Sequence, residues 1–341
     1  MSLVNVFRSS LFTMMDLTAA INESETPPQR FAELGIFEER GVRTTSIFIE
    51  KKGSTLQIVP TSPRGAPGTP MSTNKREGRE FRIPHISVTD EILADEVQDV
   101  RAFGSESDLV GVQQVRGEKN QNMAMSLDNT LEYHRLGAIQ GVVLDADGSV
   151  IYDYFDEFGI AEPDTVYFDL GAAWAEADGG RIRGLIGDVK NNMRRALKNS
   201  AVRGVHIMCG EDFFRDASNH PEMRETYLAQ QEAADLRGSD ALDIFRYGGA
   251  VFEQYPGYGD VEIAPDEARF IPLGVPKLFQ TVFAPAPWFS AVNRIGLPRY
   301  AMASLDKTGE KQIDLEAQSN PLNICTRPEV LFKASSAADP G

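Results

Sequence analysis

The run Asp145-Ala-Asp-Gly-Ser-Val-Ile-Tyr-Asp-Tyr-Phe-Asp156 carries enough carboxylates to hint at a calcium loop. Such a loop takes its ligands from alternating positions, with glycine sixth for the sharp turn and a bidentate glutamate twelfth. Here the glycine is fourth and the twelfth residue is Asp156, with Glu157 one place late. The segment reads better as two strands joined by a turn at Asp147-Gly148. Cys209 and His206 fall in one apolar strand pattern, and a thiol and imidazole sharing a strand face would suit nucleophilic chemistry. Cys209 and Cys325 stand in no redox or metal-ligand spacing, and the histidines His85, His134, His206 and His220 are scattered. Glu132 and His134 are two apart, the wrong spacing for two ligands on one helical face. There is no Walker loop, Rossmann glycine pattern, nucleophile elbow or zinc helix motif. No catalytic residue, metal or cofactor is therefore expected.

The elements that would have to position any site are clearer. Val112, Val115, Met123, Leu127, Leu131, His134 and Ala138 recur at helical spacing and predict one long amphipathic helix over about 112–138, roughly 40 Å at 1.5 Å per residue. Gly117 inside it costs about 1 kcal/mol against alanine, so the helix must lean on tertiary packing. Gly141 to Tyr152 then predicts a hairpin. Leu185 to Lys198 has one apolar face and predicts a second helix, Val205 to Cys209 a buried strand, and Phe213 to about Gln231 a further helical stretch. Strands are expected at Phe245–Phe252, Arg269–Ile271, Thr281–Phe283, Ile313–Ala317 and Ile324–Phe332. Helices and strands mix without a strict βαβ rhythm, which places the chain in the α+β class.

Two regions do not read as self-contained. Residues 1–42 hold two small apolar patches, Leu17–Ile21 and Phe31 to Phe37, around the acidic, proline-broken Asn22 to Pro28, and predict an arm with two anchoring points. Residues 43–90 begin with alternating strands at Thr45–Ile49 and Leu56–Val59 around a turn at Lys52-Gly53, then run through Pro60 to Pro70. The basic residues Arg64, Lys75, Arg76, Arg79 and Arg82 flank this stretch before Phe81 and Ile83–Ile86 resume a strand pattern. A segment this long without helical period is uncommon in a compact domain. It is expected to be a two-stranded flap whose unpaired edges a neighbouring chain completes, with Arg64, Lys75, Arg76, Arg79, Phe81 and Arg82 as candidate intersubunit contacts; a disordered linker is the alternative that its composition leaves open.

With 34 basic against 50 acidic side chains, the net charge of −16 disfavours any sequence-independent grip on nucleic acid. It suits a container that must hold a polyanion without adhering to it. Leu11–Ala20 is apolar, but Asp16 interrupts it and no basic cluster precedes it, so no signal peptide is expected. No stretch approaches the ~20 apolar residues needed to span a bilayer.

Local wording then becomes specific. Phe81-Arg-Ile-Pro-His-Ile86, Glu96-Val-Gln with Arg101-Ala-Phe-Gly-Ser105, Tyr247-Gly-Gly249 with Phe252-Glu, Phe283-Ala-Pro-Ala-Pro287, Val292-Asn-Arg-Ile-Gly-Leu-Pro298 and Gln318-Ser-Asn-Pro-Leu322 occur in this order along nearly the whole chain. The chain thereby resembles tailed-phage major capsid proteins of the lambda-like E family, with the Hong Kong-type capsid fold. The resemblance implies an N-terminal arm (1–42), an extended β loop (43–90), a peripheral domain with the spine helix (91–199), an axial α/β domain (200–300) and a return to the peripheral domain (301–341). It implies a structural protein, not an enzyme, forming hexamers and pentamers of an icosahedral head around double-stranded DNA. Scaffolding protein, portal and a decoration protein are the further partners it implies, with assembly in the host bacterial cytoplasm. Lys51, Lys75 and Lys277 read equally well as crosslink candidates and as solvated surface. Shell expansion would bend the spine helix, with Gly117 and Gly137 as the expected compliant points. An encapsulin-like shell or another phage assembly component is the alternative that shares these features.

Overall fold

The computed structural model describes residues 13–23, 29–52, 76–97, 108–171, 180–198, 202–235, 244–255, 257, 261–305 and 312–340. The helices are α1 (Met14–Glu23), α2 (Arg30–Glu33), α3 (Ala94–Val97), α4 (Asp108–Gln140), α5 (Tyr154–Phe158), α6 (Arg181–Leu197), α7 (Glu211–Asn219) and α8 (Pro221–Asp235). Among the described residues, two hairpin-like pairs stand apart from the larger sheets: β2 (Ser46–Lys52) with β3 (Arg76–Arg82), and β5 (Val142–Leu144) with β6 (Val150–Asp153). A three-stranded sheet joins β1 (Glu38–Gly41), β12 (Phe279–Phe283) and β15 (Pro321–Cys325). A second is the antiparallel set β13 (Tyr300–Leu305), β14 (Gln312–Ser319) and β4 (Ile86–Leu93). The largest, in spatial order, is β7 (Val166–Tyr167), β16 (Lys333–Ser335), β11 (Glu267–Leu273), β8 (Gly204–Cys209), β10 (Ala250–Gln254) and β9 (Ile244–Tyr247).

Strand β8 lies inside this sheet, parallel to β10 and antiparallel to β11, and Val205 to Cys209 are all buried. That explains its unbroken apolar pattern, since both faces are covered. Helices α6 and α7 contribute Ile186, Met193, Phe213 and Phe214 to the core around it. A smaller core lies between α1, α4 and the β13-β14-β4 sheet, built from Leu17, Ile21, Met123, Leu127, Ile92 and Leu315.

The long helix runs 33 residues, Asp108 to Gln140, or about 50 Å. It is amphipathic only in part. Near its end Glu132, His134, Arg135, Leu136, Ala138 and Ile139 are all buried, because different layers cover different sides of the helix. Met123, Ala124 and Leu127 serve the smaller core, whereas Leu136, Ala138 and Ile139 serve the larger one. This single helix therefore ties the two cores together.

Several local readings change in physically clear ways. The expected helix from Phe213 is two helices, because Pro221 opens α8 and the residue before a proline is steered out of the helical region; His220 has ψ 132°. The expected strand Phe245–Phe252 is a hairpin, turned by Gly248 and Gly249 at φ +57° and +71°, as a two-residue turn of matching twist requires. The chain between Ile324 and Phe332 leaves its strand after Cys325 and makes a short 3₁₀ turn at Pro328–Val330. The hairpin at 142–153 forms as expected, and Asp153 then caps α5 by accepting from Phe155 N and Asp156 N.

Candidate functional site

The flap begins as two paired strands, in register from Ser46 opposite Arg82 to Lys52 opposite Arg76. Lys52 is thus a strand residue and not the start of a turn, and the first strand pairs with 76–82; Leu56–Val59 lie outside the described residues. The strand pattern expected from Phe81 through Ile86 is interrupted at 83–85, dividing β3 from β4. Phe81 is buried at the flap's root against Tyr152, Tyr154 and Phe158, with ring centroids 5.5, 6.2 and 5.6 Å away. Tyr152 Oη donates to Arg82 O at 2.7 Å, and Ile83 N to Thr45 O at 2.9 Å. Phe81 is therefore an anchor inside its own chain and leaves no surface for a neighbour, a correction to its place among the expected contacts. Arg79 is half-exposed and pairs with Glu157 at 3.1 Å. Arg76 lies in β3, with its side chain outside the described atoms, as are Arg64 and Lys75 entirely. Phe48 stands exposed on the flap, its ring covering the Cβ position of Gly78.

The arm's anchors are built from polar contacts as well as apolar ones. On α1, Thr18 Oγ1 exchanges hydrogen bonds with Ala301 N and O, and Asn22 Nδ2 donates to Arg299 O at 2.8 Å. Arg299 in turn grips Asp128 of α4 with two bonds, of 3.0 and 2.8 Å, and donates to Ile21 O. At the second anchor Phe31 is buried and stacks on Tyr255, centroids 5.1 Å apart. Phe31 N donates to Glu132 Oε1 at 2.9 Å. Arg30 holds both oxygens of Glu253 on β10, and His206 Nε2 of β8 lies 2.8 Å from Glu253 Oε2, close but poorly aligned for a hydrogen bond.

This clamp is the densest gathering of buried ionisable groups described. Burial alone would raise the Glu253 carboxyl, but His206 and Arg30 outweigh it and hold it below the usual range. Burial does raise Glu132, against the opposing hydrogen bond from Phe31 and the charge of Arg135. Arg135, itself buried, reaches Glu39 of β1 at 2.5 Å and lies over the Phe37 ring. Apart from His206 against Glu253, which lies within the sheet, these contacts join the arm to the long helix or to a sheet. A cavity of about 400 Å³ beside them is lined by Glu39, Asp128, Arg135 and Arg299, charges that pair with one another. Nothing local relates these residues: Glu132 and His206 stand out in the sequence only beside His134 and Cys209, and Arg30 and Glu253 are 223 positions apart.

The remaining candidates resolve into structure. His206 and Cys209 are three apart on β8 and so project to opposite faces, against the shared face that nucleophilic chemistry needs. Burial pushes the Cys209 thiol well above its ordinary range, the wrong direction for a nucleophile. The Asp145–Gly148 turn uses its carboxylates locally, with Asp147 Oδ1 accepting from Ser149 N at 2.8 Å. Among the described residues, no group of three or more His, Cys, Asp or Glu side chains is placed to hold a metal ion.

The two spine glycines differ. A Cβ at Gly117 would meet nothing within 4 Å, whereas one at Gly137 would stand 2.8 Å from Val142 O and 2.9 Å from Val143 Cα. Gly137 is thus required by the close return of β5 against α4.

Residues 13–336 match the family model described as phage major capsid protein E. The major capsid protein of Salmonella phage Felix O1 is 26% identical over 97% of this chain and 98% of its own length. That of Pseudomonas phage KPP10 is also 26% identical, over 89% of this chain and 91% of its own. Among solved structures, the putative capsid protein of a prophage of E. coli CFT073 superposes with a TM-score of 0.57 at 14% identity, covering 94% of this chain and 98% of that one. The capsid of Myoviridae phage XM1 superposes at 0.50 with 11% identity, covering 90% and 92%. These superpositions establish the Hong Kong-type capsid fold, in the mixed α+β class expected from sequence.

Proposed function

This chain belongs to the phage major capsid protein E family, and we propose that its copies form the hexamers and pentamers of an icosahedral head enclosing double-stranded DNA. The function of a phage major capsid protein follows from the family; the ring stoichiometry and the enclosed DNA are our reading. The observation that carries it is the pair of extensions from one body, a flap rooted by Phe81 and an arm pinned by Arg30 and Arg299. Rigid roots with outlying strands suit repeated strand addition between copies, and many weak repeated contacts close a shell. The net charge of −16 fits a wall that contains DNA without binding it. We read the chain as a structural protein and not an enzyme.

In this reading the arm is 1–42, the extended loop 43–90, the peripheral domain 91–199, the axial domain 200–300, and 301–341 the return. β14 supports the return by pairing with β4 on one side and β13 on the other, while β16 joins the six-stranded sheet between β11 and β7. Arg64, Lys75, Arg76, Arg79 and Arg82 remain the proposed flap contacts, directed at acidic patches of a neighbour. A scaffolding protein, a portal and a decoration protein are the proposed partners, with assembly in the host bacterial cytoplasm and the virion head as the final location. Family membership favours this over an encapsulin-like container.

Size-exclusion chromatography with negative-stain microscopy, on the chain alone and with a scaffolding protein, tests the proposal. Shells, or five- and six-membered rings that close with scaffold, are expected. A monomer or dimer that never assembles under either condition would overturn it.

A further inference from the structure

Among the described residues, two of the larger sheets end in β13 and β9, each with a neighbouring strand on one side only. An edge strand turns the backbone N–H and C=O of every second residue outward, where a strand of another chain can pair with them. At both edges such groups are taken by side chains of a helix in the same chain. Asn22 Nδ2 donates to the carbonyl of Arg299, one residue before β13, at 2.8 Å, and Asn22 Oδ1 accepts from Arg299 N at 3.2 Å. Thr18 Oγ1 makes the same two bonds with Ala301 O and N, at 3.3 and 3.2 Å. Gln230 of α8 does so with Arg246 of β9, its Nε2 donating to the carbonyl and its Oε1 accepting from the amide, both at 2.8 Å.

Each of these side chains offers a donor and an acceptor to a single residue, as the opposing residue of an antiparallel strand would. Helix α1 does so twice because the spacings agree. Thr18 and Asn22 are four residues apart on a helix, about 6 Å, and Arg299 and Ala301 are two apart on an extended chain, about 6.8 Å. Met14, the next residue on that helical face, has no hydroxyl or amide, so the face offers no third such group. Other contacts hold both helices at their edges. Leu17 and Ile21 of α1 are buried and Arg299 donates to Ile21 O at 2.6 Å. Tyr227 of α8 stands edge-on to Phe245 of β9, with ring centroids 5.4 Å apart.

We propose that Thr18, Asn22 and Gln230 are edge guards, closing β13 and β9 to strand addition by a second copy of this chain. Every copy carries strands that could add there, since β2 and β3 of the flap pair only with each other. Pairing of that kind runs through backbone groups and asks for no particular side chain, so at an open edge it would compete with every specific contact between copies. The guards act in the single chain, and the inference does not depend on hexamers, pentamers or a closed shell.

Residue-resolved hydrogen exchange on the full chain, at low and high protein concentration, tests this in two variants. Thr18→Val with Asn22→Leu removes the bonds to Ala301 and Arg299 and leaves Leu17 and Ile21 of α1 in place, and Gln230→Met removes those to Arg246. In the parent these amides should be protected alike at both concentrations. In the variants they are expected to exchange several-fold faster when dilute, and to regain protection when concentrated as a second copy pairs with the opened edge. Exchange that stays fast at both concentrations would overturn the proposal, because the opened edge then attracts no copy. Exchange as slow as the parent's in the dilute sample would overturn it as well, because the side chains then close nothing. The two edges are read separately, and Gln230→Met carries the test alone if the double substitution unseats α1, since α8 keeps Met223 and Tyr227 in place.

Discussion

Arg30 and Glu253 lie 223 positions apart and meet in a forked ion pair, with Arg30 donating to both carboxylate oxygens. The pair fastens the arm to β10, next to the edge strand of the six-stranded sheet, and Phe31 beside it docks on Glu132 of the long helix. Three parts of the chain are thereby held at one point.

Removing the charge of Glu253 should be costly, since it is almost fully buried and the Arg30 guanidinium would keep only the more exposed Glu33 as its carboxylate partner. Arg30 keeps about a quarter of its exposure, which softens the loss. Glu253→Gln is expected to lower stability by roughly 2–3 kcal/mol, read as a lower urea midpoint. Cleavage by protease between 24 and 42 should rise with it. An unchanged midpoint would show that the clamp is decorative.

Glu132 and Glu253 should respond to pH with opposite sign. Glu132 has a raised folded pKa, so its contribution is present in acid, below the ordinary carboxylate range, and is lost as pH rises through the raised value. Glu253 has a depressed one, so its contribution is present above that range and is lost as pH falls through the depressed value. Glu132→Gln keeps an acceptor for Phe31 N and removes the first dependence. The urea midpoint of this variant is expected to exceed that of the parent at neutral pH and to converge with it in acid, and the reverse pattern would refute the assignment.

The spine glycines should separate cleanly. Gly117→Ala has open space and gains helix propensity, a stabilisation of about 1 kcal/mol. Gly137→Ala must displace the backbone at Val142 and Val143, a loss of about 1–3 kcal/mol. Denaturation midpoints of both variants decide this. If Gly117 is also a compliant point, Gly117→Ala particles should expand more slowly under mild acid or denaturant, and normal expansion would remove that role.

Phe81→Ala should cost about 3–5 kcal/mol by emptying the flap's root. Arg79→Ala should cost under about 1 kcal/mol in stability, because its pair with Glu157 is largely exposed. Any assembly defect of Arg79→Ala, measured as the yield of shells at unchanged denaturation midpoint, then reports a contact with another copy. Normal yield would exclude Arg79 from the interface.

How much of this was legible before the fold depended on how local the determining physics is. The long helix, the hairpin at 142–153 and the buried strand ending at Cys209 follow from period, turn chemistry and apolar runs within a few residues of one another. The flap's pairing does not: its first strand is expected beside Leu56–Val59 and instead meets 76–82, a partner that local pattern does not name. The sequence also carried the family, through short phrases in a fixed order. It did not carry the parallel pairing of β1 with β12, the entry of β7 and β16 into the sheet of β8, or the clamp. An arginine that will be buried against a distant glutamate has the same local surroundings as a solvated one. Phe81 shows the same limit for an apolar side chain, whose type is equally suited to an interface and to a core. Only tertiary closure decides between them, because burial and ion pairing are set by which distant segments the chain brings into contact, and that choice minimises the free energy of the whole fold and not of any window within it.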